Sequence, residues 1–175
     1  PVIQRASERA LAGGATLAST LELIKGVRSD IQAAVVVFTY ANPILRMGAE
    51  TFAARAADVG VDGVLVLDLP IEEAGPLRQT VVRAGIDPIF LLSPTTTDLR
   101  IQRAAELGKG FLYGISRLGV TGVRSDVAAG VNGLVQRIRA VTSLPVAVGF
   151  GLSHPDHLLE VGKCADAAVV GSALV

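Results

Sequence analysis

One cysteine, Cys164, is all the thiol this sequence has. An internal disulfide and a thiolate metal cluster are both excluded, and a reducing cytoplasm is the setting that suits such a chain. Charge of one sign is missing too: 16 basic and 16 acidic side chains cancel to a formal net charge of zero. No long-range field then draws in nucleic acid or an anionic membrane, and a small anionic ligand has to be held by local groups. No apolar run approaches the roughly 18 residues of a membrane span, and the first residues show no charged stretch followed by an apolar core. A soluble, untargeted protein is expected. Aromatics are scarce, at 4%, while half the residues are hydrophobic. The core must therefore be assembled from Val, Leu, Ile and Ala, as in parallel sheets covered by helices. With 175 residues, one domain spanning 1–175 is expected.

What is present is a series of apolar runs: 33–40, 61–70, 86–94, 110–116, 144–151 and 166–175. Each is short and nearly continuously apolar, as expected of strands covered on both faces. Between them lie segments of helical composition at 49–60, 71–85, 97–108, 131–142 and 154–165, and the opening 1–14 also reads as a helix. Gly60 and Gly85 fit helix ends, Thr97-Asp98 a helix start, and Gly13-Gly14 the close of the first helix. Such βα units at roughly 25-residue intervals predict parallel strands with right-handed crossovers, hence a doubly wound sheet or a (β/α)₈ barrel. The barrel is favoured, because polar and glycine-rich signals collect after the strands and no dinucleotide fingerprint follows the first strand. Six strands cannot close an eight-stranded barrel, so about two are expected to be missing if the barrel reading holds.

In such barrels phosphate is often held by the loops after the last two strands, at a helix start. Here those strands run into Gly149-Phe150-Gly151 and into Gly171-Ser172. Glycine lets backbone N–H groups approach phosphate oxygens, so these residues would form a neutral cradle that needs no lysine. The plainer alternative is that they only permit tight turns. A third cluster, "SRLGVTGVRSD" at 116–126, would suit a loop that closes over a ligand with Gly119 and Gly122 as hinges. Asp68, in "VLDLP", is the one carboxylate at a strand end: a base candidate, or a cap for the segment that follows. His154 and His157 have a spacing that hints at a metal, but no third ligand is in sight and His154-Pro155-Asp156 reads as a helix start. No metal site is expected.

Taken together, "FTYANPILRMG", "GVLVLDLPIEEA", "IFLLSPTTTDLRI", "GFLYGISRLGVTGVR", "LPVAVGFGLSHPDH" and "ADAAVVGSALV" closely resemble the tryptophan synthase α chain family, in the right order from Pro1 to Val175. The resemblance implies an α/β fold, a (β/α)₈ TIM barrel of which about the third to eighth strands are present. It also implies a lyase of tryptophan biosynthesis that cleaves indole-3-glycerol phosphate to indole and glyceraldehyde 3-phosphate by a retro-aldol reaction. In the family the main acid–base Glu and an Asp lie in a part that this sequence does not contain, so the chain as given is expected to be inactive or nearly so. A non-catalytic barrel fragment that binds phosphate or a β-type partner only is the alternative.

Residue by residue, the resemblance makes Tyr113 the tyrosine that assists the acid–base chemistry; its plainer role is a barrel-lining aromatic. Gly122, Gly151, Gly171 and Ser172 match phosphate-binding positions. Gly149 and Phe150 match the strand end beside the indole, and Thr121 the loop threonine that helps close the site. Tyr40, Asn42 and Pro43 match a loop facing the β chain, which carries pyridoxal phosphate; no cofactor is expected in this chain itself. Asp68 matches an acidic position of positional rather than chemical role.

Overall fold

The computed structural model of the protein describes residues 2–115, 124–149, 151–152 and 154–175, with the side chains of 124–129 outside that description. Helices α1 (Val2–Ala12) and α2 (Leu17–Val27) and a 3₁₀ turn (Arg28–Asp30) precede strand β1 (Val36–Thr39). Then come α3 (Ala41–Met47), α4 (Ala49–Asp58), β2 (Gly63–Val66), α5 (Gly75–Arg83) and β3 (Asp87–Leu92). The second half holds α6 (Asp98–Leu107), β4 (Leu112–Ile115), α7 (Arg124–Arg139), β5 (Val146–Gly149), α8 (Pro155–Gly162) and β6 (Ala167–Val169). All six expected strands form, and every pairing is parallel. No helix among the described residues is long and apolar enough to cross a membrane.

Five expectations need correction. Helix α2 was not anticipated; its start is a capping box in which Thr16 and Ser19 satisfy each other's backbone N–H groups. The "TYANPIL" segment, expected as a loop, turns helical at Ala41. The helix expected from 71 begins only at Gly75, because Pro76 lacks an N–H and its ring opposes a helical turn before it. The helix expected from 131 already starts at Arg124, and the last strand stops at Val169.

The chain divides into two compact units. In the first, Gln4–Ile89, β1 pairs with β2 and β2 with the start of β3, in the register Val37↔Val64↔Pro88 and Phe38↔Leu65↔Ile89. Alternation sends Val37 and Val64 into a core with Leu21, Ile44, Phe52, Ala56 and Val81. Phe52 and Leu21 are fully buried there, each contributing about 1.5–3 kcal/mol. On the opposite face a methyl at Gly63 would stand 2.9 Å from Ile89 Cδ1, so a larger residue there would have to displace the end of that side chain.

The second unit comprises Pro1–Ile3 and Phe90–Val175. The end of β3 pairs with β4, β4 with β5 and β5 with β6, setting Tyr113↔Ala147↔Ala167 and Ile115↔Gly149↔Val169. Helix α7 lies on β4 and β5 and buries Val131, Leu134, Val135 and Ile138. Its Arg137 spans the turn before α6: Nε donates to Asp98 Oδ1 at 2.7 Å, and the two terminal nitrogens donate to the Pro94 and Thr96 carbonyls. One guanidinium thus ties a helix to the loop that leaves β3, while Thr97 accepts the Arg100 N–H to cap α6 as expected.

Candidate functional site

Side chains on β4, β5 and β6 alternate, so Tyr113, Ile115, Ala147, Gly149, Ala167 and Val169 share one face while Leu112, Gly114, Val146 and Val148 occupy the other. The second set meets α7, where Leu134 comes within 3.5 Å of a methyl placed on Gly114. On the first face Tyr113 leans along the sheet toward the end of β5. A methyl at Gly149 would overlap the Tyr113 hydroxyl, approach its Cζ to 2.7 Å and lie 3.0 Å from Val169 Cβ. Gly149 is therefore glycine because the tyrosine ring end occupies the space of its side chain. Tyr113 is 5% exposed, and burial pushes its hydroxyl above the ordinary value of 10.0. At neutral pH it is a protonated phenol, able to donate a hydrogen bond and to exchange a proton with a strong base or acid, but not a standing phenolate.

Two residues beyond the Gly149↔Val169 pair lie Gly151 and Gly171. Gly151 has φ 79°, a conformation that L side chains resist, so its glycine is required by the backbone. Among the described residues a methyl at Gly171 would meet only Ile3 Cδ1, at 4.0 Å, and Gly171 is exposed. Ser172 opens a turn that the Leu174 N–H closes on the Gly171 carbonyl at 2.8 Å. Helix α8 begins shortly after Gly151, with His154 Nδ1 accepting the Asp156 N–H at 3.3 Å. That helix start agrees with the sequence, and the His154 and His157 rings stand edge to face at 6.1 Å. Among the described residues no three His, Cys, Asp or Glu side chains gather as a metal site would require. Phe150, Thr121 and Gly122 lie outside the described residues. Ile3 escaped the sequence reading, since nothing marks one isoleucine of an opening helix as a neighbour of residue 171.

In the other unit, Tyr40 is the N-cap of α3 and Asn42 and Pro43 fall in its first turn. Tyr40 supplies no side-chain cap. Asp68 does instead: its Oδ1 accepts the Ala41 N–H at 2.7 Å. Asp68 is a cap, as one sequence reading had it, but of α3 and not of the segment that follows it. Tyr40, Phe38 and Leu45 are all more than half exposed. A surface hollow of about 450 Å³ is lined by Gln102, Ala105, Glu106 and Val141, none of them a candidate site residue and none at a strand end.

Comparison with known proteins decides the family. The model of the tryptophan synthase alpha chain family matches residues 1–175. The chain belongs to that family. It is 47% identical over 175 residues to the tryptophan synthase alpha chain of Solibacter usitatus and 49% identical to that of Geobacter sulfurreducens. In both cases all of this chain is matched, and it spans 66% of the relative, just under two thirds. Among solved structures it overlays on the tryptophan synthase a2b2 complex from the hyperthermophile Pyrococcus furiosus with a TM-score of 0.91 and 36% identity, covering 99% of this chain and 70% of that one. The tryptophan synthase alpha chain of Legionella pneumophila gives 0.88 and 35%, covering 99% and 64%. The fold is thus α/β and the six parallel strands are part of the TIM barrel of tryptophan synthase alpha chains.

Proposed function

We propose that this chain is the greater part of a tryptophan synthase α subunit, a cytoplasmic lyase that cleaves indole-3-glycerol phosphate to indole and glyceraldehyde 3-phosphate. The observation that carries the reading is the seating of the Tyr113 hydroxyl over Gly149, at the carboxyl end of β5 and two residues before Gly151. In the reaction a base removes the proton from the glycerol hydroxyl next to the ring, and the C–C bond to the indole breaks. Its electron pair passes to the ring, and an acid delivers a proton to the ring carbon. Tyr113, buried and neutral, serves as a hydrogen-bond donor and proton relay to the glycerol oxygen. Gly151, Gly171 and Ser172, with Gly122, hold the phosphate through backbone amides and one hydroxyl. Gly149 and Phe150 border the indole, and Thr121 helps close the loop.

The carboxylates that the resemblance makes the main acid and base do not occur in residues 1–175, so these residues bind and orient while the proton transfers need groups outside them. The partner is a β chain, reached through Tyr40, Asn42 and Pro43; the Pyrococcus furiosus assembly, an a2b2 complex of mutual activation, supports this. Pyridoxal phosphate chemistry belongs to that partner. A second reading, a phosphate-binding or β-binding fragment without turnover, is favoured by the lack, within residues 1–175, of the two carboxylates that the resemblance makes the acid and base.

Indole release from indole-3-glycerol phosphate, with glycerol 3-phosphate binding measured beside it, separates these. Residues 1–175 are expected to bind glycerol 3-phosphate and to release indole no faster than the uncatalysed reaction. Gly149→Ala, which drives the tyrosine from its seat, should cut the activity of the complete subunit by about 10²-fold or more. Turnover by residues 1–175 alone would overturn the placement of the acid and base outside them.

A further inference from the structure

The carboxylate that caps α3 belongs to the turn at the end of β2, the strand end where a parallel β/α fold presents its ligand groups. Helix α3 has no cap of its own: Tyr40 bonds none of its amides through its side chain. The α3 start is therefore held by a group 27 residues further along the chain. It is also the start that carries Tyr40, Asn42 and Pro43. We propose that Asp68 is a positioning residue for the partner: it fixes the first turn of α3, and through it the surface offered to the β chain, from the ligand end of β2. This rests on the partner reading above and adds to it the residue that sets the partner surface. The argument is geometric. A charged acceptor at 2.7 Å from an N–H of the first helical turn satisfies an orphan donor and favours the positive end of the helix. A shift at the end of β2 moves that acceptor, and the helix start follows it.

The test is a titration of the protein with a tryptophan synthase β chain. Wild type, Asp68→Ala, Ala41→Pro and the double variant are compared, with inorganic phosphate binding measured on each. Asp68→Ala removes the acceptor. Ala41→Pro removes the donor and is compatible with a first helical position, the more so because Tyr40 is already extended at φ −96° and ψ 163°. Each single variant is expected to weaken β-chain binding about tenfold with phosphate affinity unchanged. The double variant should weaken it no further, because both changes cut the same bond. Should Asp68→Ala fail to fold, Ala41→Pro alone carries the result. Wild-type affinity in either variant, or losses that multiply in the double, would overturn the role of Asp68 and leave the partner reading standing. A wild-type protein that does not bind the β chain at all would remove the partner reading itself.

Discussion

Asp62 and Asp166 occupy the same place in two αβ turns that lie in different units of the chain. Each directly precedes a strand, β2 or β6, and each exchanges two bonds with the start of the strand before it. Asp62 Oδ2 accepts the Val35 N–H at 2.7 Å and its own N–H goes to the Val35 carbonyl; Asp166 Oδ2 accepts the Val146 N–H at 2.8 Å and its N–H goes to the Val146 carbonyl. Each also pairs with an arginine from the end of the helix that leads into that earlier strand: Arg28 at 3.2 Å, Arg139 at 3.1 Å. The physical problem is common to both. The first N–H of a parallel strand has no ladder partner on one side, and a carboxylate one step before the next strand supplies one.

The two arms differ in how the arginine is held. Arg28 is 28% exposed and also donates to the Ile31 and Ala33 carbonyls, while Arg139 is 47% exposed and, among the described residues, reaches the Cys164 carbonyl alone besides its aspartate. Two residues before Asp62 stands Gly60, at φ 81°, with Arg28 Nε 2.8 Å from where its methyl would be. Two residues before Asp166 stands Cys164. The helix-end bonding differs accordingly: the Val61 N–H reaches back to Ala56, the Ala165 N–H only to Val161. The same aspartate device thus tolerates two kinds of helix ending, and at Gly60 the glycine is required by left-handed backbone, with the Arg28 side chain packed across it.

Substituting those two positions should break the likeness most sharply. Gly60→Ala forces a side chain into left-handed backbone and onto Arg28, and is expected to cost about 2 kcal/mol in a urea or thermal unfolding measurement. Cys164→Ala should stay within about 0.5 kcal/mol, the range of a half-buried position with one weak bond. Equal losses at the two positions would mean that neither the left-handed backbone at Gly60 nor the packing of Arg28 over it plays a part.

The contrast also shows where the sequence was legible. Gly60 and Gly85 announced helix ends because a left-handed residue after a last turn asks for glycine, and both have φ of 81°. The strands were legible because runs such as Val146–Gly149 are buried throughout. Helix α2 was missed because its cap pairs Thr16 with Ser19 rather than with a Glu or Gln. Helix α3 was missed because its cap, Asp68, lies far along the chain and its first turn holds Asn42-Pro43, residues equally at home in a turn. In the candidate site the strand-end glycines Gly149, Gly151 and Gly171 stood out in the sequence, while Tyr113 was singled out by the resemblance alone. The reason for Gly149 could not be read, since it is a ring crossing from the neighbouring strand. Asp62 and Asp166 drew no notice at all: one carboxylate before an apolar run looks like any surface charge until the register is known.

A smaller effect is expected from removing the aspartates themselves. Asp62→Ala leaves the Val35 N–H without its charged acceptor and Arg28 without its carboxylate, at a cost of about 1–2 kcal/mol. Asp166→Ala does the same to Val146 and Arg139, but from a more exposed arginine, and about 1 kcal/mol is expected. Urea midpoints of the two variants order the arms. A larger loss at Asp166 would show that exposure of the arginine does not rank them.

The smallest effect is also the most specific, because it depends on pH. Acceptance of the Val146 N–H first, and then of the Arg139 guanidinium, holds the Asp166 carboxyl below its ordinary value of 3.8. The folded protein therefore binds this proton less readily than the unfolded chain does. The stability that follows is fully present above pH 3.8, and is lost as the pH falls through the lowered folded value. Asp166→Asn abolishes the charge but keeps an oxygen facing the Val146 N–H, so wild type should exceed the variant in urea midpoint at pH 6. That gap should shrink as the pH drops below 3.8. A gap of the same size at pH 6 and at about pH 2 would mean that the carboxylate acts at Val146 by shape alone, and that charge contributes nothing to this arm.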